Sequence, residues 1–175
     1  TRYCAKAATG SGKTFIMAFL AVWSYFHKKF EDHSDLSKTI LVIAPTVIVY
    51  ERLKSDFENG SVFYRFPFVP DEWQYDWNMS FIMRADQVKT STDGTFYLTN
   101  IHQIYESRAE TEVDQGPIGN LLGPKPKKDS HASWLESLYD RILKHDELLV
   151  INDEAHHVHD EELAWYKSII SFHAN

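Results

Sequence analysis

Residues 7–14 read Ala7-Ala8-Thr9-Gly10-Ser11-Gly12-Lys13-Thr14. A loop with two glycines so close together can turn successive backbone N–H groups toward one point, which is how proteins cradle phosphates. Lys13 is then placed to reach the β and γ phosphates of a nucleoside triphosphate, and the Thr14 hydroxyl is placed to ligate Mg²⁺. The stretch from Thr9 to Thr14 therefore predicts a phosphate-binding loop for ATP. The alternative is a glycine turn that caps a helix beside an incidental lysine.

The segments around this loop alternate between strand and helix patterns. Residues 2–7 predict a short first strand at the N-terminal edge, and Phe15–Phe30 is apolar almost all round, like a helix packed deep against a sheet. Thr39–Ala44 is a continuous β-rich apolar run, as in a strand covered on both faces. Apolar residues then recur at helical spacing up to Phe57. This alternation predicts an α/β fold with a largely parallel sheet.

The second half of the chain is less regular. Residues 59–94 are rich in aromatic side chains and predict an insertion with one or two short strands, whose aromatic residues we expect in the core rather than stacked on bases. Residues 95–99 predict a strand. Residues 109–132 carry glycines, prolines and lysines and predict an exposed, mobile loop. A helix is predicted to open at Ser133, and a last amphipathic helix is predicted over 163–170.

A second chemical signal follows the apolar strand predicted at 148–151. The chain there continues as Asn152-Asp153-Glu154-Ala155-His156-His157. The carboxyl ends of parallel strands are where open sheets bind ligands, so Asp153 is expected to hold Mg²⁺ and Glu154 to polarise the attacking water. The alternative is an acidic strand end in solvent. The nearby histidines do not predict a transition-metal site, because no His-Glu-x-x-His helix and no cysteine accompany them.

Composition narrows the function classes. The chain has 175 residues, 43% of them hydrophobic, one cysteine and a formal net charge of −7. Global disorder, a disulfide framework and a multi-cysteine zinc site are thereby excluded, and a reducing, cytoplasmic setting is expected. The longest apolar run is too short for a membrane span. The chain starts at Thr1 rather than Met, so we expect a fragment of a longer protein.

Together, the two motifs resemble motifs I and II of superfamily 2 helicases. Ala7 is a residue that this superfamily often has at the first position of the loop. Ala44-Pro45-Thr46 resembles motif Ia, and Thr99-Asn100 resembles the weaker motif Ib. The resemblance implies that Pro45, Thr46, Thr99 and Asn100 contact the nucleic-acid backbone.

The fuller string from Asn152 to His157 resembles the Res subunit of type III restriction enzymes. This resemblance implies a three-layer RecA-like P-loop NTPase domain over 1–175, with Lys13, Glu154 and His156 as catalytic residues. His156 would couple the ATP site to a second RecA-like domain. That second domain and any nuclease domain are expected outside the chain. The implied partners are double-stranded DNA and a modification (methyltransferase) subunit, without a membrane.

Other functions remain open from the sequence alone. One is another superfamily 2 ATPase that acts on RNA or on chromatin-like DNA, since contacts to phosphates carry little base information. Another is a nucleotide-binding regulatory module that does not hydrolyse ATP, although Glu154 beside Asp153 counts against it. A kinase with a phosphate loop is disfavoured, because a kinase needs no water-polarising glutamate at this position.

Overall fold

The computed structural model of the chain describes residues 8, 10–83, 92–100 and 138–153. The helices and strands, in chain order, are α1 (Lys13–Phe30), β1 (Thr39–Ala44), α2 (Val47–Phe57), α3 (Ser61–Arg65), β2 (Met79–Ile82), β3 (Gly94–Asn100), α4 (Leu138–Leu143) and β4 (Leu149–Asn152). Short 3₁₀ turns lie at Glu58–Gly60 and Asp71–Asp76. The helix predicted to open at Ser133 is confirmed over Leu138–Leu143, and residues 133–137 lie outside these ranges. The strand predicted at 2–7, the loop predicted at 109–132 and the helix predicted over 163–170 lie wholly outside them.

The four strands form one sheet in the order β2-β3-β1-β4. All three pairings between them are parallel, with Ile40 of β1 beside Phe96 of β3 and Leu149 of β4. The predicted α/β fold with a parallel sheet is confirmed. Because the strands run the same way, their last residues Ala44, Asn100 and Asn152 all lie at one edge of the sheet.

Helices flank the sheet on two sides. Alternate residues of the central strands, among them Ile40, Val42 and Phe96, belong to the buried cluster that includes α1, α2 and α3. Their neighbours Leu41 and Tyr97 are equally buried but lie outside that cluster, since successive side chains of a strand point to opposite faces. On this second face the Tyr97 hydroxyl lies 3.0 Å from Nε2 of His145, just after α4. The sheet is therefore the middle of three layers.

Helix α1 is less enclosed than its sequence predicts. It buries one face, which includes Ala18, Ala21 and Tyr25. Phe19 and Trp23 on the remaining surface are 63% and 45% exposed. The expectation of a helix covered nearly all round is wrong for these positions, because a helix that lies on one side of a sheet needs only one apolar face to pack.

The aromatic insertion is helical in its first half and supplies the sheet's edge strand in its second. β2 confirms the expected short strand, whereas α3 and the 3₁₀ turn at 71–76 were not predicted. Phe63 is buried and its ring lies 5.1 Å from that of Trp77, in line with the expected core role. Tyr64 and Tyr75, by contrast, are 78% and 99% exposed. The aromatic residues are thus divided between core and surface.

No helix among the described residues is both long enough and apolar enough to cross a membrane.

A lysine near the end of α1 binds the insertion at two points, one of them directly before β3. Lys29 Nζ donates to the Asp76 carbonyl at 2.9 Å and to Asp93 Oδ2 at 3.1 Å. This hydrogen bond with Lys29 holds the pKa of the Asp93 carboxyl below its usual value of 3.8. Since the folded-state pKa is depressed, the stabilisation is present above the unfolded pKa and is lost as the pH falls through the folded one.

We expect Asp93→Asn to lower the free energy of unfolding at neutral pH by no more than about 1 kcal/mol, because ion pairs this exposed are weak. The difference from the wild type should shrink below about pH 4, where the carboxyl becomes protonated in the unfolded chain. Urea unfolding over a pH series measures it. Asp35→Asn, which removes one exposed carboxylate elsewhere, is the control. A difference that grows on acidification would contradict the assignment.

Candidate nucleotide-binding site

The glycine loop has the backbone that the motif predicts. Gly10 and Gly12 have φ angles of +78° and +86°, in the left-handed region that favours glycine. Between them, the Ser11 N–H and hydroxyl both donate to the Ala8 carbonyl, at 3.2 and 2.6 Å. A Cβ atom added at Gly10 would meet no atom of the described residues within 4 Å.

Helix α1 starts directly from this loop with its positive end accessible. Gly12 is the N-cap, no side chain caps it, and the first turn contains no acidic residue. The Gly12 carbonyl accepts from Ile16 N–H at 3.1 Å, which begins the helix. The first backbone N–H groups of a helix lack partners within the helix, and they favour a bound anion such as phosphate. The loop and the N-terminus of α1 together therefore supply backbone donors that suit a bound phosphate.

The sheet carries Asp153 to this loop. Its backbone N–H donates to the Ile43 carbonyl at 3.1 Å and so extends the β1–β4 pairing by one residue. The Asp153 carboxylate is almost fully buried, and its Oδ1 lies 3.8 Å from Nζ of Lys13. Two motifs separated by 140 positions in the sequence thus meet at the carboxyl edge of the sheet.

The structure places a second cation beside Asp153 that was not predicted from the sequence. Nη2 of Arg52, on α2, donates to Asp153 Oδ2 at 3.2 Å. Arg52 follows Thr46 by six positions and belongs to no recognised motif. Arg52 comes close to Asp153 because β1 pairs with β4. That strand order could not be predicted from the sequence.

The donor set fits a magnesium nucleotide better than a preformed metal centre. The described ranges contain no group of three or more His, Cys, Asp or Glu side chains that could hold a metal ion. Mg²⁺ is commonly held by one or two protein ligands together with substrate phosphates. Asp153 Oδ1 is the oxygen that faces the glycine loop. Thr14, the second residue of α1, is half-buried. These residues fit an ion that arrives with a nucleotide.

The four residues predicted to contact nucleic acid differ in accessibility. Thr46 is exposed and Pro45 is partly exposed. The Thr46 hydroxyl also accepts from Val49 N–H at 3.3 Å and so caps α2. Thr99 and Asn100 end β3 with exposures of 0% and 4%. All four lie at the carboxyl edge of the sheet, but only the first two are accessible from solvent.

Three predicted site residues lie outside the described ranges, namely Thr9, Glu154 and His156. The structure brings together Gly10, Ser11, Gly12, Lys13, Thr14 and Asp153, and adds Arg52. The roles given to all of these residues stay predictions.

A family model described as "Type III restriction enzyme, res subunit" matches residues 1–175. No curated protein and no solved structure shows a significant match to the chain.

Proposed function

We propose, from the fact that the chain belongs to the family of type III restriction enzyme res subunits, that it is the ATP-binding and ATP-hydrolysing domain of a DNA translocase or helicase. Membership itself implies a RecA-like, helicase-type ATPase motor domain. Beyond what membership implies, we propose that this chain itself hydrolyses ATP, moves along double-stranded DNA and takes part in restriction.

The observation that supports this function best is the 3.8 Å distance between Lys13 Nζ and Asp153 Oδ1. A phosphate-binding lysine and a magnesium-binding carboxylate must face the same phosphates, one from each side. A glycine turn that only caps a helix would not need a nearly buried carboxylate delivered to its lysine by a different strand. A buried carboxylate costs free energy unless it is paired, so such a placement favours a functional pair.

Each residue then has a separate task. The backbone N–H groups from Gly10 to Thr14 bind the phosphate oxygens, and Lys13 neutralises the charge that develops on the transferred group. Thr14 and Asp153 would hold Mg²⁺, which draws electron density from the phosphates when bound. Glu154, next in the chain, would orient a water molecule and take its proton. His156 would transmit the state of this site to a second domain.

The nucleic acid would run past the same edge of the sheet. Pro45 and Thr46 are its accessible members, and a threonine at a helix start suits a phosphate contact. Thr99 and Asn100 stay predictions that require their buried side chains to become accessible. With a formal net charge of −7, the chain alone should bind DNA weakly, because affinity depends on neutralised phosphates.

We further propose that the other wall of the ATP cleft comes from a second RecA-like domain outside the chain. Its arginine would stabilise the transferred phosphoryl group, and such residues contribute on the order of 10³–10⁵ in rate. A methyltransferase subunit is the proposed partner in the cytoplasm.

A steady-state ATPase assay with and without duplex DNA tests this function. We expect the 175-residue chain to turn ATP over slowly and without stimulation by DNA. A protein that contains both motor domains should be stimulated. Strong stimulation of the chain alone would contradict the two-domain proposal. Stimulation of the two-domain protein by RNA but not by DNA would contradict the restriction role.

A further inference from the structure

Asp153 has two oxygens with different neighbours, and the difference points to a role for Arg52. Oδ1 lies 3.8 Å from Lys13 Nζ, beyond hydrogen-bond reach, so the contact is a loose ion pair. Oδ2 accepts a hydrogen bond from Arg52 Nη2 at 3.2 Å. Among the described residues, Arg52 is therefore the side chain that fixes the orientation of this carboxylate.

Arg52 acts by orienting the Asp153 carboxylate more than by packing against it. Its side chain is 50% exposed, whereas that of Asp153 is 1% exposed. A half-exposed guanidinium adds little packing, but a buried carboxylate needs a partner to keep its charge and its position. The hydrogen bond also gives the two carboxylate oxygens different directions. Oδ2 points toward α2, and Oδ1 is left on the side of the phosphate loop.

Carboxylates that bind metals are usually held by further hydrogen bonds, and loss of such a bond typically costs 10–100-fold in metal affinity. We propose, on the basis of the proposed function, that Arg52 is a positioning residue that keeps Asp153 Oδ1 directed at the Mg²⁺ of the bound nucleotide. An ionised carboxylate can accept about four hydrogen bonds or ligands. Arg52 therefore holds one oxygen without consuming the other.

The opposite effect is competition, in which the cationic guanidinium repels Mg²⁺ from Asp153. The two effects differ in sign. Loss of a positioning residue raises the Mg²⁺ concentration needed for nucleotide binding, whereas loss of a competitor lowers it.

The test is a titration of Mg²⁺ into the chain with the non-hydrolysable analogue AMP-PNP, followed by calorimetry. We expect Arg52→Ala to raise the half-saturating Mg²⁺ concentration about tenfold and to leave AMP-PNP binding in EDTA unchanged. Arg52→Lys should recover part of the loss, because it keeps the charge and one donor. Arg52→Gln, which keeps the stem without the charge, should resemble Arg52→Ala.

Lys54→Ala is the matched control, because Lys54 lies on the same helix and pairs with the exposed Glu51 at 3.8 Å. It should leave the Mg²⁺ midpoint unchanged. An unchanged or lower midpoint in both Arg52→Ala and Arg52→Gln would overturn the proposal. The Asp153→Asn variant distinguishes an error in the proposed magnesium site from an error in the role of Arg52. If it also leaves the midpoint unchanged, the magnesium site in the proposed function is wrong. If it raises the midpoint and the Arg52 variants do not, only the role of Arg52 is wrong.

Discussion

Replacing Lys13 with alanine should weaken binding of Mg-ATP about 100-fold, because hydrogen bonds to charged groups contribute about 1.5–3 kcal/mol each and every 1.4 kcal/mol changes affinity tenfold. Lys13 is the cation that extends from the loop, with 22% of its side chain exposed, and it lies beside Asp153. The substitution removes the charge that would contact the β and γ phosphates. Asp153 keeps Arg52 as a partner, so the fold should survive.

Isothermal titration with AMP-PNP and Mg²⁺ measures the loss. Lys28→Ala is the matched control, since Lys28 lies at the other end of α1 and pairs with Glu147. It should bind nucleotide like the wild type. Equal affinity in the Lys13 variant and the wild type would remove the phosphate-loop assignment. An equal loss in both lysine variants would show a general effect of charge.

Glu154→Gln should abolish most hydrolysis and keep nucleotide binding. The amide has the shape of the carboxylate but cannot take a proton from water, and general base catalysis contributes typically 10²–10⁴-fold. Asp153→Asn, one position earlier, should act on a different step, because its carboxylate is the one beside Lys13. We expect it to raise the Mg²⁺ requirement of binding.

Single-turnover hydrolysis and Mg²⁺-dependent binding, measured on both variants in a protein with both motor domains, separate these roles. If the two variants lose the same property to the same extent, the distinct tasks assigned to Asp153 and Glu154 are incorrect. A Glu154→Gln variant that hydrolyses ATP at the wild-type rate would favour a different base.

Much of the central sheet could be predicted because its strands carry their own signal. Thr39–Ala44 is apolar at nearly every position, and all six residues are buried in β1. Strands buried on both faces are continuous apolar runs in the sequence, so their position can be predicted without knowledge of the neighbouring strands. The loop could be predicted from its glycines for a similar reason, since the positive φ angles at Gly10 and Gly12 are a local requirement of the backbone.

The contacts that depend on strand order could not be predicted. Arg52 and Asp153 are 101 positions apart, and they meet because β1 lies between β3 and β4. The same applies to the insertion, where Phe63 packs inward and Tyr64 points to solvent although both are aromatic neighbours in one short helix. Hydrophobic content predicts that some aromatic residues are buried, whereas the face of the helix decides which ones.

We propose above all that the glycine loop and Asp153 form one site for a magnesium nucleotide. Two-dimensional ¹H–¹⁵N NMR of the labelled chain, titrated with Mg-ADP, tests it most directly. We expect the amide signals of Gly10 to Thr14 and of Asp153 to move together, with a single apparent Kd. The signals of Lys38 and Glu147, near the opposite edge of the sheet, should stay in place. Saturating Mg-ADP that leaves the loop and Asp153 unmoved, or that shifts one of them without the other, would contradict it.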